Sequence, residues 1–215
     1  MLQGLDYPSV MPTAKPLAQV LAKTERRVFV TADSHFGHAD AMQWYGRQYP
    51  SVDAMDAALL EGINARVDAQ DILLHLGDFM VKGGGRKWER DDFKRAHEYR
   101  DRIHCKRVHL IQGNHDPRGE EKFDLLFASV DEIVSVKGVQ GIEERVVLFH
   151  YPLEQWQGRP TGAMHLHGHV HGFGTDVARR HDCGVDQKDN GCTPLCLNEL
   201  LKRMRATPPS GFVRA

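Results

Sequence analysis

The sequence predicts an α/β fold built as one domain. Three observations carry this. Short runs rich in β-branched and aliphatic residues recur at 27–31, 71–75, 107–111, 132–136, 145–149, 164–167 and 183–186. Amphipathic or charged helical stretches lie between several of them. The length of 215 residues suits one large domain and is short for two. Five of these runs end in Asp, Asn or His, and ligand sites in open α/β sheets gather where strands end at their carboxyl edge.

Taken in order, residues 1–26 are expected to be an N-terminal extension: Pro8, Pro12 and Pro16 punctuate an extended arm with a short helical turn near Leu17-Ala22. The domain is expected over 27–206. Its first strand, Arg27-Val-Phe-Val-Thr31, runs into Asp33-Ser-His35-Phe-Gly37-His38. In extended chain, residues i and i+2 point the same way, so Asp33 and His35 face one spot. Gly46 to Pro50 reads as a loop. Ser51 is an N-cap candidate, and Met55, Ala58, Leu59, Gly62 and Ile63 recur at helical spacing up to about Val67. Asp71 to His75 is the second strand and ends in Gly77-Asp78.

A Gly-rich turn at 82–85 then leads into a charged helix ending near Arg102. Its mixed signs fit a solvated face better than a nucleic-acid surface, and the Gly run lacks the Gly-Lys-Ser/Thr of a phosphate loop. Arg107 to Ile111 runs into Gly113-Asn-His-Asp116-Pro117. A short helix over 120–127 precedes strands at 132–136 and 145–149, the second ending at His150. After a loop at 158–162, Met164 to His167 runs into Gly168-His-Val-His-Gly172. A last strand at 183–186 and a helix from Pro194 to about Arg205 close the domain, leaving 207–215 as a frayed tail.

Composition narrows the function. Net charge is −1 with a pI near 6.9, so no generic polyanion-binding surface is indicated. No apolar run approaches the roughly 20 residues of a membrane helix, and no secretory leader is evident. Cys105, Cys183, Cys192 and Cys196 form no CxxC pair, which points to a reduced, cytoplasmic protein. The strand ends offer Asp33/His35, Asp78, Asn114/His115/Asp116, His150 and His169/His171. One strand-end His, such as His75 or His109, reads as a hydrogen-bonded structural residue. Five such ends, three beside Gly, read as a metal site. Mixed Asp, His and Asn donors suit Mn, Fe or Zn. Seven ligands with one shared carboxylate make two sites of four, the arrangement that grips both oxygens of an in-line phosphoryl displacement.

The order D-x-H, G-D, G-N-H-D, H and G-H-x-H resembles the calcineurin-like metallophosphoesterases, in particular their small single-domain bacterial and phage members. The resemblance spans residues 27 to about 200. It implies a four-layer αββα sandwich of two mixed β-sheets flanked by helices. It implies a dimetal phosphoester hydrolase in which Asp33, His35 and His171 hold one divalent ion, Asn114, His150 and His169 hold the other, and Asp78 bridges. Manganese is the foremost ion, with Fe, Zn, Ni, Co or Mg as the others. A hydroxide between the metals would attack a phosphodiester, or a monoester, of a small or nucleotide substrate. His115 would stabilise or protonate the leaving oxygen, and Asp116 would orient His115.

Outside the signature, His38 touches substrate, supports the ligands or is plain loop structure, and His167 reads as packing or as support for the ligands. Arg47, Trp156 and Arg159 lie on loops between motifs, where Arg suits phosphate recognition. The alternatives are a metal-dependent nuclease on single-stranded nucleic acid and a non-catalytic scaffold on the same fold. The near-neutral charge argues against the first, and the intact motif set against the second.

Overall fold

The computed structural model describes residues 16–84, 87–175 and 177–209. In chain order these form α1 (Leu17–Lys23), β1 (Val28–Thr31), α2 (Asp40–Trp44), α3 (Val52–Arg66), β2 (Ile72–His75), α4 (Arg90–Arg102), β3 (Arg107–Ile111), α5 (Glu121–Asp124), β4 (Ser129–Asp131), β5 (Ile133–Val139), β6 (Ile142–Phe149), β7 (Met164–His167), β8 (Arg180–Asp182), β9 (Leu195–Cys196) and α6 (Leu197–Arg205). Pro8, Pro12, Gly85, Arg86 and the end of the expected tail, 210–215, lie outside the described residues.

The strands make two mixed sheets with flanking helices. The first has the order β4-β3-β2-β1-β9, parallel except for β9, which runs antiparallel to β1. The second has the order β5-β6-β7-β8, with β5 antiparallel to β6 and the rest parallel. The period of two within each strand divides the core. Val28, Val30, Ile72, Leu74, Val146, Leu148, Met164 and Leu166 belong to one cluster that joins both sheets. Phe29, Leu73, Val108 and Leu110 turn the other way, onto Leu59 and Ile63 of α3 and Ala96 of α4. Strands β1, β2 and β7 are buried at every position, which is why β1 and β2 read as largely apolar runs, while β7 alternates Met and Leu with buried His165 and His167. Each such Val, Leu or Ile contributes about 1.5–3 kcal/mol on burial. A smaller cluster of Val147, Trp156 and Ala163 covers the second sheet's outer side.

Several local expectations are met by named contacts. Ser51 caps α3, its hydroxyl accepting from Ala54 N–H at 3.2 Å. The helical turn expected near Leu17 is α1, and its Leu17 and Leu21, each 1% exposed, enter the cluster between the sheets. Other elements differ. The strand expected at 132–136 is two elements in two sheets: β4 pairs with β3, β5 pairs with β6, and Glu132 alone separates them. β5 and β6 are joined through Gln140 and Gly141, both in the left-handed region (φ 50° and 81°), as a two-residue hairpin requires. Leu195 and Cys196, expected in the last helix, pair with Val30 and Phe29, so α6 starts at Leu197. β8 precedes the expected 183–186, where Gly184 bridges to Ala32 instead.

Candidate metal centre

The parallel strands β1, β2 and β3 end side by side, and so do β6 and β7 of the other sheet. The loops after them are stitched by backbone hydrogen bonds: Asp33 N–H to Gly77 O and His35 N–H to Asp78 O at 3.0 Å, and Gly168 N–H to His150 O at 3.0 Å. The two sheets meet where His169 N–H reaches both carboxylate oxygens of Asp33, at 3.0 Å each. Eight non-glycine residues have positive φ among the described residues, and Asp33, His35, Asp78, His169 and His171 are five of them (48° to 72°). Each such residue carries a cost of order 1–3 kcal/mol, and this strain gathers at functional sites. It also corrects the alternation argument for Asp33 and His35. β1 stops at Thr31, and two left-handed residues, rather than extended chain, turn these side chains to one place.

Three groups of ligand atoms lie within 4.8 Å of one another: Asp33, His35 and His171; His35, Asp78 and His115; Asp78, His150 and His169. Asp78 is common to two of them. Its Oδ2 is 3.4 Å from His35 Nε2 and 3.5 Å from His150 Nε2, and its Oδ1 accepts the His115 N–H at 2.8 Å. His150 donates Nδ1–H to Leu76 O at 2.8 Å, which leaves Nε2 directed at Asp78 and, at 3.1 Å, at Asn114 Oδ1. His171 donates Nδ1–H to Asp186 at 2.7 Å, freeing its Nε2 in the same way.

Electrostatics follow from burial and charge. Burial lowers the His35 pKa to about 4, against the opposing pull of Asp78, so its imidazole is neutral, the ligand form. Burial works against the charged forms of both Asp78 and His150, but their mutual hydrogen bond and attraction prevail. They hold Asp78 below the usual carboxylate range and carry His150 up to about 9. Burial raises the Asp33 carboxyl well above its ordinary value.

The close approach of the loops needs glycine. A Cβ on Gly77, itself at φ 97°, would meet His150 Nδ1 at 2.5 Å and Gly113 N at 2.7 Å. One on Gly113 would meet Asp78 Oδ1 at 2.2 Å.

Two residues with expected roles make contacts of another kind. Asp116, expected to orient His115, instead accepts backbone N–H bonds from Asp78 (2.9 Å), Phe79 (3.0 Å) and Gly113 (2.8 Å). It ties the Gly77-Asp78 loop to the Gly113-Asn114 loop. Burial, with the charge of Asp78 next, raises its pKa to about 6. Replacing it with Asn sets an amide NH₂ against N–H donors, and hydrogen bonds to a charged group are worth about 1.5–3 kcal/mol each. Asp116→Asn is therefore expected to lower the thermal midpoint by about 5–10 °C and to weaken metal binding. Turnover per metal-loaded molecule should hold; a turnover loss with intact stability and metal content would restore the orienting role.

Arg47, expected at a substrate phosphate, is 7% exposed and fully engaged. It forms a bidentate pair with Asp186 at 2.7 and 2.8 Å and donates to Asp33 O at 2.7 Å and Ser34 O at 2.9 Å. Its fifth N–H faces Met55 Sδ at 3.6 Å, so no donor is left for a ligand. The chain His171–Asp186–Arg47 instead pins the first ligand loop to the last. Asp186 escaped the sequence-based selection although it ends the run at 183–186, the same signal that marked the other strand ends.

The remaining candidates are placed as follows. His38 is buried at 9% exposure, 3.3 Å from His35 Nδ1 and stacked on that ring. Arg159 lies over the Trp156 ring at 5.0 Å and donates to Glu154 O. Trp156 is buried and donates to Ala163 O, so neither is brought to the histidine cluster by these contacts. His167 donates to Gly168 O at 2.8 Å, and His75 and His109 meet Ser34 and Ser129 hydroxyls at 2.8 and 2.9 Å. These are the hydrogen-bonded contacts expected of His75 and His109. Tyr45, which carried no sequence signal, stacks flat on His171 with ring centroids 3.3 Å apart.

Two mixed sheets with flanking helices and a cluster of Asp, His and Asn at their strand ends are consistent with the metallo-dependent phosphatase fold. The family model for calcineurin-like phosphoesterases matches residues 26–187, and the chain belongs to that family. Members bind divalent metals, act on phosphoesters and are generally hydrolytic. The chain is 27% identical over 182 residues to "Uncharacterized protein MJ1445" of Methanocaldococcus jannaschii, covering 82% of this chain and 90% of that one. The structure of AQ665 from Aquifex aeolicus, a protein of unknown function, is similar with a TM-score of 0.60 at 19% identity, over 83% of this chain and 100% of that one. Pseudomonas putida nuclease MPE aligns with a TM-score of 0.43 at 25% identity, over 67% and 60%.

The residues present fit the divalent metals of the family. His35 Nε2 is buried and makes no well-formed hydrogen bond, with Asp78 Oδ2 3.4 Å away, although it belongs to two of the three ligand groups. Such an orphaned atom is costly unless something coordinates it. Among the described residues, no helix is long and apolar enough to cross a membrane.

Proposed function

We propose that the protein is a dimetal phosphoester hydrolase acting on a phosphodiester of a small or nucleotide substrate. Asp33, His35 and His171 would hold one divalent ion, Asn114, His150 and His169 the other, and Asp78 both. Bound there, two cations would lower the pKa of a trapped water and offset charge on phosphoryl oxygens. The chain's own residues do the rest. Asp78 supplies the negative charge between the two histidine groups. Asp186 and Arg47 fix the tautomer and aim of His171. Half-buried His115 gives a proton to the leaving oxygen as water adds across the P–O bond. Asp116 holds the two central loops in register.

The observation that carries this reading is the place of Asp78, one carboxylate oxygen within 3.5 Å of imidazole nitrogens from both sheets. The diester assignment rests on Arg47. With its guanidinium held by Asp186 and backbone carbonyls, it is not available to a dianionic monoester phosphate. Manganese is the first ion to supply, since the donors mix carboxylate, amide and imidazole. All four cysteines are free, in keeping with a reducing, cytoplasmic setting.

The test is a screen of metal-reconstituted protein on bis-p-nitrophenyl phosphate, p-nitrophenyl phosphate, cyclic nucleotides and single-stranded nucleic acid. Turnover should require the added ion, and the diester should be cleaved faster than the monoester. Faster monoester cleavage would reverse the ester class. No metal-dependent turnover on any of them would defeat the hydrolase reading.

A further inference from the structure

Among the described residues, three large hydrophobic side chains are well exposed, and Trp44, at 57%, is one. A single exposed aromatic is ordinary. Its neighbours are what set this one apart. The indole stands edge-to-face on His38 (centroids 5.1 Å, 84°) and on Tyr45 (6.4 Å, 80°). His38 is stacked on His35, with centroids 5.4 Å apart, and Tyr45 is stacked on His171. Trp44 is thus one ring removed from each of two histidines in the same ligand-capable group. These near-perpendicular contacts place it at the rim of that group while more than half of its surface stays open.

We infer that Trp44 is a stacking platform for the base of a nucleotidyl phosphodiester whose phosphate sits at the Asp33, His35 and His171 group. This rests on the phosphodiester reading above and narrows its substrate class. An exposed indole beside a phosphoryl site can recognise a flat aromatic substituent one sugar away from the phosphate. Such stacking accepts any base, because every base has a π-face. It also needs no basic surface, which a chain of net charge −1 does not offer as a whole.

The experiment compares esters that share one leaving group. Wild type, Trp44→Ala and Trp44→Phe, each loaded with manganese, are assayed on methyl p-nitrophenyl phosphate and on the 3′- and 5′-p-nitrophenyl phosphates of thymidine. The readout is the ratio of kcat/KM for the better thymidine ester to that for the methyl ester. Base–aromatic stacking predicts that Trp44→Ala lowers this ratio roughly tenfold, through KM, and that Trp44→Phe restores most of it. In parallel, thymidine 5′-monophosphate is titrated while indole fluorescence is followed. Quenching should occur in wild type and be lost in Trp44→Ala. An unchanged ratio, equal losses on both ester types, or undiminished quenching in Trp44→Ala would overturn the proposal. So would a drop in the oligomeric state of Trp44→Ala, since the ring would then pack against a second copy. If wild type hydrolyses no ester, the hydrolase reading fails on its own, and the fluorescence titration still decides whether Trp44 binds a base.

Discussion

Asp78→Asn is expected to purify with less metal in both ion positions and to lose at least about 10³-fold in metal-dependent turnover on bis-p-nitrophenyl phosphate, the upper range for removing one preorganised charge from such a site. The substitution keeps shape and removes charge. Asp78 Oδ1 is already committed to the His115 N–H, and an Asn oxygen can take over that bond. Oδ2 has no such replacement. It stands 3.4 Å from His35 Nε2 and 3.5 Å from His150 Nε2, and an amide there brings either a neutral oxygen or an N–H that repels a cation. The effect should be felt by both ions, because Asp78 belongs to two of the three ligand groups. Asp33→Asn provides the contrast. Asp33 belongs to one group only and should mainly weaken that ion. Elemental analysis and turnover on the same preparations decide the matter: two ions still bound at full occupancy in Asp78→Asn would sink the shared-ligand assignment.

The legibility of this site in the sequence had a physical basis and a physical limit. Strand ends were readable because β1 and β2 are buried on both faces, so each appears as a largely apolar run that stops abruptly before Asp or Gly. Parallel neighbours then bring those stops together without further instruction. What decided the exact aim of the ligands was not readable. Asp33 and His35 converge through left-handed backbone, which Asp and His do not announce as Gly does. The His171–Asp186–Arg47 chain joins residues 139 positions apart, and nothing local in a single sequence couples them. Asp116 shows the same limit from the other side. Its place next to His115 suggested a pair, while its carboxylate turns back to three backbone N–H groups.

The partition into two sheets was equally hidden. Residues 129–139 look like one β-rich stretch, yet Asp131 pairs with Ile111 in the first sheet and Ile133 with Phe149 in the second. The choice of partner is a tertiary contact, made by which face finds the shared core, and hydrophobic periodicity is the same on either side of Glu132. Helix α2, with Trp44 at its end, was missed because five residues are too few for a 3.6-residue period to emerge.

His115→Ala separates metal binding from chemistry. The loop should survive the change, because the contact that anchors it to Asp78 is the backbone N–H of residue 115, which alanine retains. The ring is half-buried, whereas those of His35 and His150 are fully buried, and it stands edge-on to His35 with centroids 5.0 Å apart. It is placed at the mouth of the cluster, where the proposed reaction would have an ester oxygen depart. A group that meets the leaving oxygen acts mainly in the transition state, so its loss lowers kcat and spares ground-state binding. General acid help is typically worth ~10²–10⁴-fold. The loss should reach that range for an alkoxide leaving group such as that of a dinucleotide. It should be much smaller for p-nitrophenolate, which leaves without needing a proton. A competing assignment comes from the same geometry, since a His115 nitrogen lies within 4.8 Å of ligand atoms of His35 and Asp78. If the ring is a ligand, the variant loses metal, and both leaving groups slow by the same factor. Metal content and kcat for the two ester types, measured on one preparation, give opposite answers for the two assignments.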